Sequence, residues 1–326
     1  MVAPIVVVRS SDFSPSPQPQ PFPMQGSKRA QVPIINRLIP DGHPRVFEPF
    51  CGSGAASIGA RCFGKVNDVF LSDANPALVN LWDDIIKDPV GLARRYDLIW
   101  SQQFAGHEVD LKSYFNSVRE RHNANPVGDS AEFLYLLNRI VKASLRYGAN
   151  GKFNQSADNR RAGARPGTVR QRVLETSLIM KGATTRHCDW MVALRDAEPG
   201  DIIYLDPPYQ GTSDSRDQRY YCGLSIAEFE SGVQNLVNRD LSVIISYDAI
   251  HGPIRYGRAL SPELGLLPID VITGVSAQST LLGKIQEAHE TIYLTPALVD
   301  RLGGISEVEY RLSIAQLPQI EELVAA

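Results

Sequence analysis

The amino-acid sequence predicts an α/β protein: a doubly wound, mostly parallel sheet with a mainly helical module inserted into it. Three observations carry that expectation. Short apolar strands alternate with helix-period segments around a Gly-rich turn; the strand signal fades over residues 89–181; and it returns in the last part of the chain.

Residues 1–24 carry Pro15, Pro17, Pro19, Pro21 and Pro23 at alternate positions and read as an extended or disordered segment. Its apolar run from Ala3 to Val8 has no basic stretch before it and no small-residue cleavage pattern after it, so it is not read as a signal peptide. A helical pattern spans Ala30 to Leu38 and ends at the turn Pro40-Asp41-Gly42. Arg45 to Glu48 reads as a strand running into Pro49-Phe50-Cys51-Gly52-Ser53-Gly54, and Ala55 to Ala60 resume a helix. A second strand, Asp68 to Leu71, ends at Ser72-Asp73, and Pro76 to Ile86 places Leu78, Leu81 and Ile85 on one helical face. Residues 89–181 show helical patterns such as Ser130 to Val141, with polar Gly- and Arg-rich loops. Strands are then expected at Thr184 to Cys188, Asp201 to Leu205, Leu241 to Ser246, Ile269 to Thr273 and Thr291 to Thr295, giving six or seven in all.

Composition excludes several classes. With 33 Lys and Arg against 36 Asp and Glu, the net charge of -3 rules out a protein that coats nucleic acid by bulk charge. Between Arg139 and Arg172, however, nine basic residues face Asp158 as the only acid, which marks a candidate phosphate-binding surface. No stretch approaches the ~18 to 20 apolar residues of a membrane span, so a cytoplasmic location is the expectation. Cys51, Cys62, Cys188 and Cys222 are irregularly spaced without a C-x-x-C pair, and neither a disulfide framework nor a metal site is expected.

Two motifs carry chemistry. Asp206-Pro207-Pro208-Tyr209 follows the apolar Ile202 to Leu205, at the strand end where open α/β sheets bind ligands. The prolines restrict the backbone, so the Asp206 carboxylate and the Pro207 carbonyl point outward with little freedom. Two such acceptors suit the two N–H groups of an exocyclic amine, and Tyr209 offers a face for its ring, worth ~1 to 3 kcal/mol as base stacking. The plainer alternative is a turn that happens to hold two prolines. In the second motif, Gly52 and Gly54 let the backbone approach a ligand, while the absence of a following Lys-Ser/Thr argues against a phosphate-cradling loop. Asp73, at the end of the next strand, stands where an acid binds ribose hydroxyls in nucleoside-binding folds; a helix-capping Asp is the alternative.

In combination these motifs resemble the D12-class, Dam-like adenine-N6 DNA methyltransferases. Gln25-Gly26-Ser27-Lys28-Arg29 is similar to that family's N-terminal motif, Glu48 to Gly54 to its cofactor loop, and Ser72-Asp73-Ala74-Asn75 to its ribose-binding acid. Phe133 to Leu136, Asn138-Arg139, and Arg146-Tyr147 through Gly151-Lys152-Phe153-Asn154 resemble its DNA-contacting region, and Asp206 to Tyr209 its catalytic corner.

The resemblance implies a seven-stranded, Rossmann-like methyltransferase sheet formed by residues 25–88 and 182–326, with 89–181 as target-recognition insertion. It implies S-adenosylmethionine as cofactor, bound by Met24, Lys28, Glu48, Phe50, Gly52, Ser53, Gly54, Asp73, Asp189 and Asp206. Asp206, Pro207, Pro208 and Tyr209 would be catalytic, acting on an adenine flipped from double-stranded DNA. Asn138, Arg139, Lys142, Arg146, Lys152, Asn154, Arg160 and Arg161 would contact the DNA.

The sequence departs from GATC-recognising members. Met24 replaces an aromatic residue, Ile140-Val141-Lys142-Ala143-Ser144-Leu145 lacks their aromatic and Asn residues, and the stretch from Ser276 to Lys284 lacks their Asn-Gly-Gly segment, so a GATC target is not implied. Two rivals are an RNA base amine methyltransferase, for example at guanine-N2, and a non-catalytic nucleic-acid-binding relative. The long interval from Gly54 to Asp206 argues against the first, the intact Lys28, Asp73 and Asp206 against the second. A cognate restriction endonuclease acting separately on the same site fits these motifs, as do phage-borne and solitary enzymes.

Overall fold

In the computed structural model the residues described are 6–105, 110–158, 160–208, 224–251, 254–256, 258–275 and 287–313; the side chains of 248–251, 254–256, 274–275 and 287 are outside the description. The central strands are apolar on both faces. In β5 (Ile202–Leu205) all four residues are buried, with Ile202 and Tyr204 in one apolar cluster and Ile203 and Leu205 in the other. Burial on both faces is what a parallel strand sandwiched by helices requires, and it explains an unbroken apolar run instead of an alternating one.

The remaining strands are β1 (Val6–Arg9), β2 (Val46–Glu48), β3 (Val69–Asp73), β4 (Thr184–His187), β6 (Ser242–His251), β7 (Ile254–Tyr256), β8 (Leu267–Val275) and β9 (Glu287–Leu294). They form one sheet in the order β1-β8-β9-β6-β5-β2-β3-β4, with β7 paired to β6. From β6 to β4 every neighbouring pair is parallel, whereas β9 runs antiparallel between β6 and β8. Among the described residues the sheet has nine strands, β1 and β7 being additional to the seven positions where the sequence predicts strands. The apolar run near the N-terminus supplies β1, which adds in parallel to β8; β6 continues past Ser246 and folds back into β7.

Eleven α-helices are present among the described residues. In sequence order they are α1 (Val32–Arg37), α2 (Ala55–Cys62), α3 (Pro76–Lys87), α4 (Pro89–Gln102), α5 (Leu111–Ala124), α6 (Ser130–Arg139), α7 (Pro166–Ile179), α8 (Trp190–Ala193), α9 (Ile226–Asn238), α10 (Pro296–Arg301) and α11 (Ile305–Ser313). Helix α3 starts where the sequence requires: the Asn75 side chain accepts from the Ala77 N–H, and Pro76 occupies the first turn, where no N–H is needed.

Residues 89–181 add α4 to α7 and no strand of the sheet among the described residues. Their buried side chains, including Tyr96, Phe115 and Phe133, share one apolar cluster with Val69 and Leu71 of β3. This interval therefore has no core separate from the sheet.

The Pro-rich segment has neither helix nor strand from Phe13 to Phe22, yet Phe13 and Phe22 are buried in the main core and Gln18 is buried beside them. Arg29 donates to the Gln18 carbonyl at 2.7 Å and fixes the path of the segment. The alternate prolines restrict the backbone here, and the buried Phe13 and Phe22 anchor the segment on the core.

Candidate active site

Because β2, β3 and β5 are parallel neighbours, Glu48, Asp73 and Asp206 all arise at one edge of the sheet. The chain moves from β2 to β3 on one side and later to β5 on the other, so these acids flank a topological switch point. Asp73 pairs with His187 of β4, which brings Asp189, two residues on, to the same edge.

Asp206 is ion-paired to Lys28, with Nζ 2.7 Å from Oδ1. Lys28 comes from the 3-10 turn Lys28–Gln31 and is only 5% exposed, so its ammonium is held within the cleft. Glu290 of β9 lies 3.8 Å from the same ammonium, and the Gln31 amide donates to its carboxylate. Burial pushes the Asp206 carboxyl up to about 6; Lys28 opposes the shift and Glu290 adds to it. Pro207 is buried behind it, whereas Tyr209 lies outside the described residues, as does the stretch from Ser276 to Lys284.

The Gly-rich loop is built against Trp82. The indole N–H donates to the Gly52 carbonyl at 2.9 Å, and a Cβ on Gly54 would stand 2.6 Å from the ring. Only glycine fits there, since φ is also +63°. Asp73 accepts from the Gly52 N–H at 3.3 Å and the Asn75 N–H at 2.9 Å. Burial pushes its carboxyl up to about 6 against those two bonds. Glu48 is buried and accepts from the Ser57 N–H at 3.0 Å; burial pushes it up to about 8. The Met24 sulfur lies 3.4 Å from where a Gly52 Cβ would be, Ser53 donates to Ser27 at 3.1 Å, and Phe50 packs on Trp190. Exposed Asp189 caps α8 through the Met191 N–H at 2.8 Å.

The basic region divides in two. Lys142, Arg146, Lys152 and Asn154 are exposed, and Asn138 is half-buried with its amide on the Leu134 carbonyl. Arg139 differs from these: it is 1% exposed and donates to the Asp158 carbonyl, so it braces the loop from inside. Arg160 and Arg161 are exposed but both pair with Asp158, whose carboxyl they hold well below the usual range. An open groove of about 910 Å³ runs between α5 and this loop, lined by Arg119, Asn123, Asn150, Lys152 and Asn154.

Sequence reasoning missed Glu290, Gln31 and Trp82 as parts of the site. Trp82 is legible in the sequence only as a large apolar residue on α3, and Glu290 sits in a strand with no local motif. Tyr147 belongs to a motif of the sequence, but only the fold reveals that its hydroxyl accepts from the Asn75 amide at 2.6 Å, joining the loop after α6 to the turn between β3 and α3.

Comparison with known proteins places the chain among its relatives. The chain is 27% identical over 255 residues, 74% of this chain and 85% of the other, to the retron Ec67 DNA adenine methylase of Escherichia coli. It is 24% identical over 276 residues, 82% of this chain and 93% of the other, to the type II methyltransferase M1.LlaDCHI of Lactococcus lactis subsp. cremoris. It is 23% identical over 231 residues, 68% of this chain and 76% of the other, to a DNA adenine methylase of Haemophilus influenzae. Residues 25–262 match the profile of one family, a span that includes Lys28, Asp73 and Asp206, and the chain belongs to that family, the D12 class N6 adenine-specific DNA methyltransferases.

Proposed function

We propose that this adenine-specific DNA methyltransferase takes its methyl group from S-adenosylmethionine and delivers it to the N6 amine of an adenine extruded from double-stranded DNA. The observation that carries this reading is the Asp206 carboxylate, fixed at a strand end by Lys28 and placed on the sheet edge it shares with the Gly52–Asp73 pair. That loop suits the cofactor: glycine backbone gives close approach where a Cβ on Gly54 would fill the space, and Asp73 is a buried acceptor for ribose hydroxyls. When bound, the cofactor supplies a methyl group activated by its sulfonium.

The residues do the rest. An adenine amine is a weak nucleophile because its lone pair is delocalised into the ring. Hydrogen bonds accepted by Asp206 and the Pro207 carbonyl favour a pyramidal nitrogen and stabilise the positive charge that develops on it. A stacked base cannot reach this corner, so it leaves the duplex and Tyr209 stacks on it. Lys28, Glu48 and the loop from Phe50 to Gly54 hold the donor in line, with Met24 and Asp189 at its flanks.

Residues 89–181 serve as the DNA-reading module within the methyltransferase sheet. Lys142, Arg146, Lys152 and Asn154, being exposed, are its contacts; Arg160 and Arg161 meet phosphates by exchanging Asp158 for them. One relative's name is that of a type II methyltransferase, which favours a restriction-modification setting with a separate endonuclease at the same site.

Sequencing with modified-base detection on DNA from cells expressing the protein tests the reaction and reports the target. Asp206→Ala should lower methylation by on the order of a thousandfold, while S-adenosylmethionine binding, measured by calorimetry, persists. Near-normal turnover by that variant would reject the role of Asp206.

A further inference from the structure

Glu290 reaches the cleft from β9 and shares the ion partner of Asp206. The Lys28 ammonium stands 2.7 Å from Asp206 and 3.8 Å from Glu290, between two carboxylates that are 22% and 16% exposed. Gln31, one turn after Lys28, donates its amide to the Glu290 oxygen that faces the ammonium, so this carboxylate is oriented before any rearrangement.

We infer that Glu290 is a positioning residue for methyl transfer, receiving the Lys28 ammonium when the target amine takes its place on Asp206. The inference rests on the reading of Asp206 as the amine's acceptor. The Asp206 oxygen bonded to Lys28 cannot serve the ammonium and the incoming N–H equally well. The Gly26 carbonyl also accepts from this ammonium, at 3.4 Å, but carries no formal charge, so displacing a 5% exposed ammonium from the carboxylate that pairs with it at 2.7 Å takes away its nearest counter-charge, at a cost in free energy. Glu290 removes that cost, because a movement of about 1 Å brings Lys28 to charge-assisted hydrogen-bond distance.

The same arrangement sets the electrostatics of Asp206. Among the described residues the groups facing it are Lys28 from the 3-10 turn, Glu290 from β9, Glu48 from β2 and the Tyr204 phenol of its own strand. Burial raises the Asp206 carboxyl most, Lys28 lowers it, and Glu290 raises it further. Loss of the Glu290 charge therefore lowers the Asp206 pKa and leaves Lys28 paired more tightly to it.

Glu290→Gln tests this, because it keeps the shape and removes the charge. In the full-length enzyme kcat should fall roughly tenfold, the loss of one charged hydrogen bond. The acid limb of the kcat profile should move to lower pH, while thermal melting and S-adenosylmethionine binding stay near wild type. Glu290→Asp, which retains the charge, should keep the acid limb at its wild-type position. A folded Glu290→Gln enzyme with unchanged kcat and unchanged acid limb overturns the inference. So does an activity loss that only tracks loss of folded protein with no movement of the limb. Wild-type enzyme that methylates no adenine removes the Asp206 reading and this one together, whereas active wild type beside a Glu290→Gln enzyme of unchanged kcat and acid limb removes this one alone.

Discussion

Gly54 leaves the Gly-rich loop no room for a side chain. A Cβ there would stand 2.6 Å from the Trp82 ring, which is fully buried and anchored by its own N–H to the Gly52 carbonyl. Gly182 has a similar left-handed backbone, φ +79° against +63°, but open space around it. Gly182→Ala should therefore show only the backbone strain, about 1 to 2 kcal/mol, whereas Gly54→Ala should lose about 1 to 3 kcal/mol more from overpacking. Urea denaturation of both variants measures the difference, and equal losses would mean that Trp82 yields freely. Cofactor affinity should drop for Gly54→Ala alone.

At the scale of elements, α5 holds the loop that carries Lys152 and Asn154. Asn123 clamps Phe153 by both backbone groups, its amide donating to the carbonyl and its oxygen accepting the N–H, each at 2.8 Å. Next to it the His122 ring stacks on Phe133 at 5.0 Å and meets the edge of Phe153. Burial pushes His122 down to about 4 from 6.5. The unfolded chain takes up this proton as pH falls below about 6.5, and the folded chain does not until about 4, so stability is lost across that window. The loss approaches about 3 kcal/mol at its lower end. His122→Phe should remove it, seen as a smaller difference between urea midpoints at pH 7.5 and 4.5 than in wild type; identical differences would reject the assignment. Helix α3 is legible in the sequence because its apolar residues repeat with the helical period, and β5 because its four residues form an unbroken apolar run. Helices α4 and α7 carry a weaker signal, because apolar residues also stand outside their buried stripes: Val90 and Leu98 of α4 and Leu178 of α7 are exposed and blur the helical period.

Across the whole molecule, the N-terminal segment is a structural part of the fold. Phe22 is completely buried beneath the same core that receives α1, and β1 extends the sheet beyond β8. Phe22→Ala should destabilise by about 3 to 5 kcal/mol, and removal of residues 1–24 should lower the melting temperature further. A truncated protein with unchanged melting would show that the segment contributes nothing to folding. The interval 89–181 likewise buries its apolar residues in the core that includes β3, and the hydrogen bond between Asn75 and Tyr147 ties its basic loop to the turn that follows that strand.

The sequence alone determined the order of strands around the Gly-rich turn, the acid at the end of β3 and the Asp206-Pro207-Pro208 corner, because each is written locally: an apolar run makes a strand, and the residues at its carboxyl end set the edge chemistry. Tertiary structure alone decided which charges meet. Lys28, Asp206 and Glu290 are far apart in the chain and come together only because β5 and β9 both flank β6 and the N-terminal turn closes over them. It also decided that Arg139 turns inward while Arg146 faces solvent, since a basic side chain reads alike in sequence whether the fold buries its guanidinium on a carbonyl or leaves it in water.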